Sequence, residues 1–249
     1  MGRRKNKEAE QAQKREQTKQ DLKRKSETRE QIPDIIIACE DEASAPTYFK
    51  MLVEQLKKLR KITPDSFVIA KHTNTHPTGI LQDLKNHKCQ SSGKEYKNFQ
   101  HKWIVIDRDK EQVDGGGHSA QDFNNALTQA RSIKVDVAYS NDAFELWYLL
   151  HFDYRDTAII RDELLTQVIE KLKTYNASKF AQLDKDTIKQ ADFTKLIFEE
   201  LQALQEAAIK NAEKLFIFHG STHNPESDNP STTVYKLVEL LNSLWKEKR

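Results

Sequence analysis

Lys102-Trp103-Ile104-Val105-Ile106-Asp107-Arg108-Asp109 is an aromatic and β-branched run that stops on two carboxylates separated by one arginine. Asp34-Ile35-Ile36-Ile37-Ala38-Cys39 stops in the same manner, on Glu40-Asp41-Glu42. Neither run alternates apolar with polar residues. Both faces are therefore apolar, as in a parallel strand covered by helices on both sides. Between these runs, Pro46 opens an amphipathic helix to about Lys58, in which Tyr48, Leu52, Leu56 and Leu59 recur at helical spacing. A strand is predicted at Phe67–Lys71, followed by the polar loop His72–Pro77 and a helix from Thr78 or Gly79 that carries Ile80, Leu81 and Leu84. After Asp109 the glycines Gly115–Gly117 lead into a helix near Ser119–Arg131, and Val135–Ser140 supplies a fourth strand. Asn141-Asp142 breaks that pattern, and Phe144–Phe152 reads as a buried helix.

This order predicts an α/β fold with a mostly parallel four-stranded sheet flanked by helices. From about Asp156 the pattern is helical, over roughly 160–175, 192–212 and 231–247, with a loop at Phe216–Asn229. The expected organisation is a basic tail over 1–30, an α/β core over 31–155 and a helical extension packed on the core over 156–249.

The chain has 249 residues, with 40 Lys+Arg against 38 Asp+Glu. That balance hides an asymmetry. Residues 1–30 carry 11 basic and 6 acidic side chains and no apolar stripe, leaving 29 basic and 32 acidic on the rest. The tail reads as a disordered segment or solvated helix. It serves either as an electrostatic arm for nucleic acid or as a solubilising extension. No apolar run approaches the roughly 20 residues that span a bilayer, and the N-terminus lacks a signal-peptide core, so the chain reads as cytoplasmic with no membrane role. Cys39 and Cys89 give neither a disulfide framework nor a zinc-type spacing, and Cys39 reads as a buried thiol.

Ligands of open parallel sheets gather outside the carboxyl ends of the strands. Here the first strand delivers Glu40, with Asp41 and Glu42 behind it. The third delivers Asp107 and Asp109, and Glu145 follows the fourth. An acidic residue after a strand commonly caps the next helix. Convergence from three strand ends is a different matter, because clustered carboxylates repel unless a cation neutralises them. Hard oxygen ligands suit Mg2+ or Mn2+. With a phosphate as the remaining ligand, such a site can activate water for in-line displacement. Glu145, set among Phe144, Leu146, Leu149 and Leu150, must be neutral, paired with a base such as Arg108 or Arg155, or turned to the metal.

Among the histidines, His151 suits a core position as well as the site, and His72 and His76 face the ligand edge. His219 and His223 have a metal-like spacing on a helix, but Gly220 and Pro225 mark a loop. Trp103 and Trp147 read as core.

An acidic residue after the first strand and Asp-x-Asp after a later one resemble the Toprim pattern of topoisomerases, primases and nucleases of the overcoming-lysogenization-defect type. A larger set of residues is more specific. Ile36-Ile37-Ala38-Cys39-Glu40-Asp41-Glu42 with Tyr48-Phe49, then Asp107-Arg108-Asp109, then Ser140 through Phe152, and finally Asn229-Pro230-Ser231-Thr232 resemble the RloB family, which includes abortive-infection proteins of the AbiL type. The resemblance spans roughly residues 34–245 and implies a Toprim-like, Rossmann-like core. It implies Glu40 as general acid/base, Asp107 and Asp109 as metal holders with Glu40, Glu145 as a further catalytic acid, and Asp41, Glu42, Asn141 and His151 as supporting residues. This chain has Asp41 where the family has Gly, Ala45 where it commonly has Glu, and Asp142 where a Pro is expected.

The implied activity is metal-dependent cleavage of nucleic acid (DNA, RNA or tRNA) in anti-phage defence. The alternative is a non-catalytic effector that binds nucleic acid or nucleotide and signals through a partner. No Gly-x-x-x-x-Gly-Lys loop exists here, so an ATPase function would need a partner chain. A homo-oligomer is a further expectation.

Overall fold

The computed structural model describes residues 34–57, 64–110 and 116–245. The basic tail, Leu59 and Gly115 lie outside the described residues. Five strands form one sheet in the order β2-β1-β3-β4-β5: β1 Ile35–Cys39, β2 Phe67–Ile69, β3 His101–Asp107, β4 Asp136–Asn141 and β5 Ser231–Thr232. The first four run parallel, with Ile37 opposite both Ile69 and Trp103, and Asp107 opposite Ser140. The predicted count of four strands is one short. β5 is antiparallel to β4, pairing Thr232 with Ser140 and Ser231 with Asn141.

Every residue of β1 is buried because both faces of the sheet are covered. On one face, helices α2 (Pro77–Asn86) and α3 (Ala120–Ser132) close over Ile36, Ala38, Ile104 and Ile106 through Ile80, Leu84, Phe123 and Ala126. On the other lies α1 (Ser44–Lys57), whose Tyr48 meets Phe49, Phe144, Trp147 and Phe198 edge-on at centroid distances of 5.1–6.3 Å. Edge-to-face contacts suit the ring quadrupoles. Trp103 and Trp147 are core residues, as their apolar surroundings predict.

The α1 entry is set by Asp41, whose Oδ1 accepts from the Ala43 and Ala45 N–H groups at 3.1 Å and so satisfies the first-turn donors. The segment after β4 is helical only at α4 (Glu145–Leu149), shorter than the predicted Phe144–Phe152, yet it is enclosed throughout.

The C-terminal part is helical: α5 Arg161–Tyr175, α6 Ala177–Phe180, α7 Ala191–Leu201, α8 Gln205–His219 and α9 Val234–Trp245. The predicted single helix over 192–212 is instead α7 and α8 with a 3-10 turn between them at Gln202–Leu204. α8 runs on to His219 and stops at Gly220, whose φ of +65° lies in the left-handed region glycine tolerates. The connection before β5 therefore starts at Gly220, not at Phe216. The helix predicted from 231 begins at Val234, because Ser231 and Thr232 serve the sheet. α9 packs on β4 and α1, and α7 packs on α1, so residues 33–249 make one unit.

Candidate functional site

At the carboxyl edge of the sheet, the β1 backbone ends with Glu40 N–H bonded to the Val105 carbonyl at 3.0 Å. This register sets Glu40 beside the end of β3, where its Oε2 accepts from the Asp107 N–H at 2.9 Å. Burial pushes the Glu40 carboxyl up to about 8, and Asp109 and Asp41 push it the same way; the Asp107 N–H and Arg161 oppose them. Asp107 is raised well above its ordinary value by burial, then by Glu40 and Glu145. Asp41 is pushed to about 6 by burial, with Glu145 adding to it and the Ala45 N–H opposing. Asp142 is raised by burial and by Asp109. Low dielectric and mutual repulsion both disfavour the charged forms.

Among the described residues, Arg161, Lys189 and Lys110 are the cations that reach these six carboxylates. Arg161 forms an ion pair with Asp109, and its backbone N–H donates to Asp142 Oδ2 at 3.0 Å. Burial opposes its charge, but Asp107, Asp109 and Glu145 hold the guanidinium protonated above its usual range. Glu145 is 1% exposed, and Lys189 Nζ stands 4.0 Å from its Oε1. Lys189 is thus its base. Arg108 and Arg155 are engaged elsewhere, with Glu226 and with Gln167 and Glu163 respectively. Glu145 Oε2 and Asp142 Oδ1 are both buried without a hydrogen-bond partner. Two orphaned carboxylate oxygens in one acidic cluster fit a bound cation, because a buried charge is costly unless compensated. The donor set is all oxygen, as Mg2+ or Mn2+ requires.

Glu40, Asp107, Asp109 and Glu145 thus share one edge. Glu40, Asp107 and Asp109 do not close into a triad with all ligand atoms within 4.8 Å. The physical reason is at hand: Asp109 is drawn onto Arg161, and Glu40 onto the Asp107 N–H. The supporting residues divide. Asp41 is part of the cluster while also capping α1, and Glu42 stands exposed on the rim, 3.7 Å from His72 Nε2. Asn141 lies one layer behind, its Nδ2 donating to the Pro225 and Glu226 carbonyls at 3.2 Å. His151 is a core histidine, with Nδ1 2.8 Å from the Trp147 carbonyl and its ring edge-on to that indole. His76 caps α2, and His72 bonds the Cys39 carbonyl at the mouth of a groove of about 520 Å3 that also carries Lys50 and Lys71.

Three residues escape a reading of the sequence. Arg161 and Lys189 come from the C-terminal helical part, some 50 and 80 residues beyond Asp109, and no local pattern ties them to it. The third is His118. Its ring stacks on Phe123, its Nδ1 is 3.5 Å from Glu40 Oε1, and its Nε2 has no partner. Burial, then the charge of Arg108, depresses it to about 4, so it is neutral at physiological pH. It is placed by Gly117, whose φ of +68° brings the backbone so near the Lys110 carbonyl that a Cβ would stand 2.3 Å from its oxygen. The glycine run after Asp-x-Asp is the one available signal, since a chain that doubles back there must bring its next residues to the acidic edge.

A mostly parallel α/β sheet with a buried carboxylate cluster at its carboxyl edge is the class that the fold and site define. The family follows from sequence: the chain belongs to the RloB-like protein family, whose model matches residues 35–241. No curated protein and no solved structure matches it. Among the described residues, no helix is long and apolar enough to cross a membrane.

Proposed function

We propose that the acidic edge is the active site of a metal-dependent nuclease of Toprim-like type, acting on nucleic acid in anti-phage defence. The carrying observation is the imbalance of six clustered carboxylates against three cations, with buried oxygens of Glu145 and Asp142 left unpartnered. Asp107 and Asp109 would hold Mg2+ or Mn2+ with Glu40, and Glu145 would stand behind them. When bound, such an ion polarises a phosphoryl oxygen and favours formation of the attacking hydroxide. Glu40, held by the Asp107 N–H, would exchange a proton with the leaving oxygen. His118, neutral beside it, would keep Glu40 oriented. Lys50 and Lys71 around the neighbouring groove offer positive contacts for flanking phosphates, and His72 stands at its mouth.

The purified protein should nick plasmid, single-stranded DNA or tRNA with Mg2+ or Mn2+ and stop with EDTA. Asp107→Asn with Asp109→Asn should abolish the cleavage without unfolding the chain. Cleavage at an unchanged rate in that double variant sinks the assignment.

One observation favours a second reading, a non-catalytic effector that binds nucleic acid or nucleotide and signals through a partner. The Arg161 guanidinium already sits on Asp109, so that among the described residues the oxygens of Glu40, Asp107 and Asp109 do not close together. Binding of labelled nucleic acid with no turnover in any metal would select it.

A further inference from the structure

Away from the acidic edge, α8 ends at His219, and the connection to β5 carries His223 and Asp228. Among the described residues, this trio brings three ligand atoms within 4.8 Å of one another. Both rings are nearly enclosed, and their centroids are 5.3 Å apart.

Hydrogen-bond direction says what the trio is built for. His219 Nε2 lies 2.8 Å from the Pro230 carbonyl, which can only accept, so Nε2 carries a proton. In the neutral ring, Nδ1 then turns a bare lone pair toward Asp228 Oδ2 at 3.6 Å. His223 Nδ1 lies 2.7 Å from the same oxygen, and its Nε2 meets the Tyr139 hydroxyl. Among the described residues, no lysine or arginine pairs with Asp228; Lys236 lies instead over the Phe216 ring at 3.9 Å. Two imidazoles with a carboxylate, each ring held at its outer nitrogen, form the donor set of a borderline-soft divalent cation.

We propose that His219 Nδ1, His223 Nδ1 and an Asp228 carboxylate oxygen bind a transition-metal ion of the zinc type, with a further position open to water. The proton balance closes within the site. On binding, the His223 proton moves from Nδ1 to Nε2 and is donated to the Tyr139 oxygen. The Tyr139 proton turns to the neighbouring Ser231 hydroxyl, which itself donates to the Asp228 carbonyl at 2.7 Å.

The ion would clamp the segment that also holds Arg108, through Glu226 at 2.6 Å, and Asn141, through the Pro225 and Glu226 carbonyls. It is a positioning site beside β4 and does not depend on what the acidic edge does.

The test uses the full chain stripped of metal and titrated with Co2+, read by its visible ligand-field absorption, then with Zn2+ in competition. The Asp107→Asn/Asp109→Asn variant should take up one equivalent with an imidazole-type spectrum, and the wild type should show the same spectrum whether or not a further ion enters the acidic edge. His219→Gln should bind at least about tenfold more weakly, since even loss of an outer partner of a metal ligand costs 10–100-fold. Asp228→Asn keeps the shape of the site and serves as a second variant, with circular dichroism reporting folding in both. Zn2+ should raise the Tm of the wild type and leave folded His219→Gln unmoved. The proposal is overturned if the wild type takes up neither ion, if folded His219→Gln and Asp228→Asn bind as tightly as it does, or if the Asp107/Asp109 variant loses the spectrum.

Discussion

His151 is buried, with its ring set against the Trp147 carbonyl and the Tyr148 backbone. Burial depresses it to about 4, below the 6.5 of an exposed histidine. Between these values the unfolded chain binds more protons than the folded one, so stability rises with pH across that window. The contribution is complete above about pH 6.5 and is lost as pH falls toward 4. Urea midpoints between pH 7 and 4 should show the wild type losing up to roughly 3 kcal/mol more than His151→Gln. Parallel curves would contradict this. Glu145 makes the opposite use of burial. Among the described residues its ion-pair partner is Lys189, partly exposed and 4.0 Å away, too distant to repay desolvation fully. Glu145→Gln should leave Tm level or raise it, by relieving repulsion with Asp107 and Asp41, while cleavage per folded molecule falls about 10–100-fold. A lowered Tm with normal cleavage would make the residue half of a structural ion pair.

The segment between α8 and β5 is an element in its own right, pinned to the sheet edge by Arg108. That side chain is buried and reaches Glu226 Oε1 through Nη2 at 2.6 Å, while Nη1 meets the His118 carbonyl at 3.3 Å. Removing one member of such a pair leaves a charge without its partner. Glu226→Ala should cost about 3 kcal/mol by thermal or urea unfolding, and adding Arg108→Met should recover part of that loss. Additive losses would show that the two side chains are not coupled. β1 and β3 are legible in the sequence because burial on both faces demands unbroken apolar runs, and their terminal carboxylates are legible as strand ends. β5 is not, because it is two hydroxyl residues whose place is earned by cross-strand bonds: Thr232 Oγ1 donates to the Tyr139 carbonyl at 2.8 Å and meets Ser140 Oγ at 3.1 Å. Such bonds leave no hydrophobic period. The same reason hides Arg161 and Lys189, since each depends on how distant segments fold back. Asp-x-Asp marks the acidic edge, and its counter-charges are written elsewhere in the chain.

For the whole molecule, charge is divided between a basic N-terminal tail and an acidic remainder. If residues 1–30 contact nucleic acid, their deletion should weaken binding and flatten its dependence on salt, because fewer counterions are released. Binding isotherms at several salt concentrations that coincide for both lengths would refute that role. The late arrival of β5 bears on how the protein is made. Ser140 and Thr232 are bonded neighbours 92 residues apart in the chain. At 5–20 residues per second, a ribosome needs about 5–18 s to deliver the second after the first. Arg161 and Lys189 are made 21 and 49 residues after Ser140, so both counter-charges of the acidic edge are synthesised before Thr232. The segment between α8 and β5, with its hold on Arg108 and Asn141, is therefore the last part of this edge to dock, after the carboxylates and their cations have all been made.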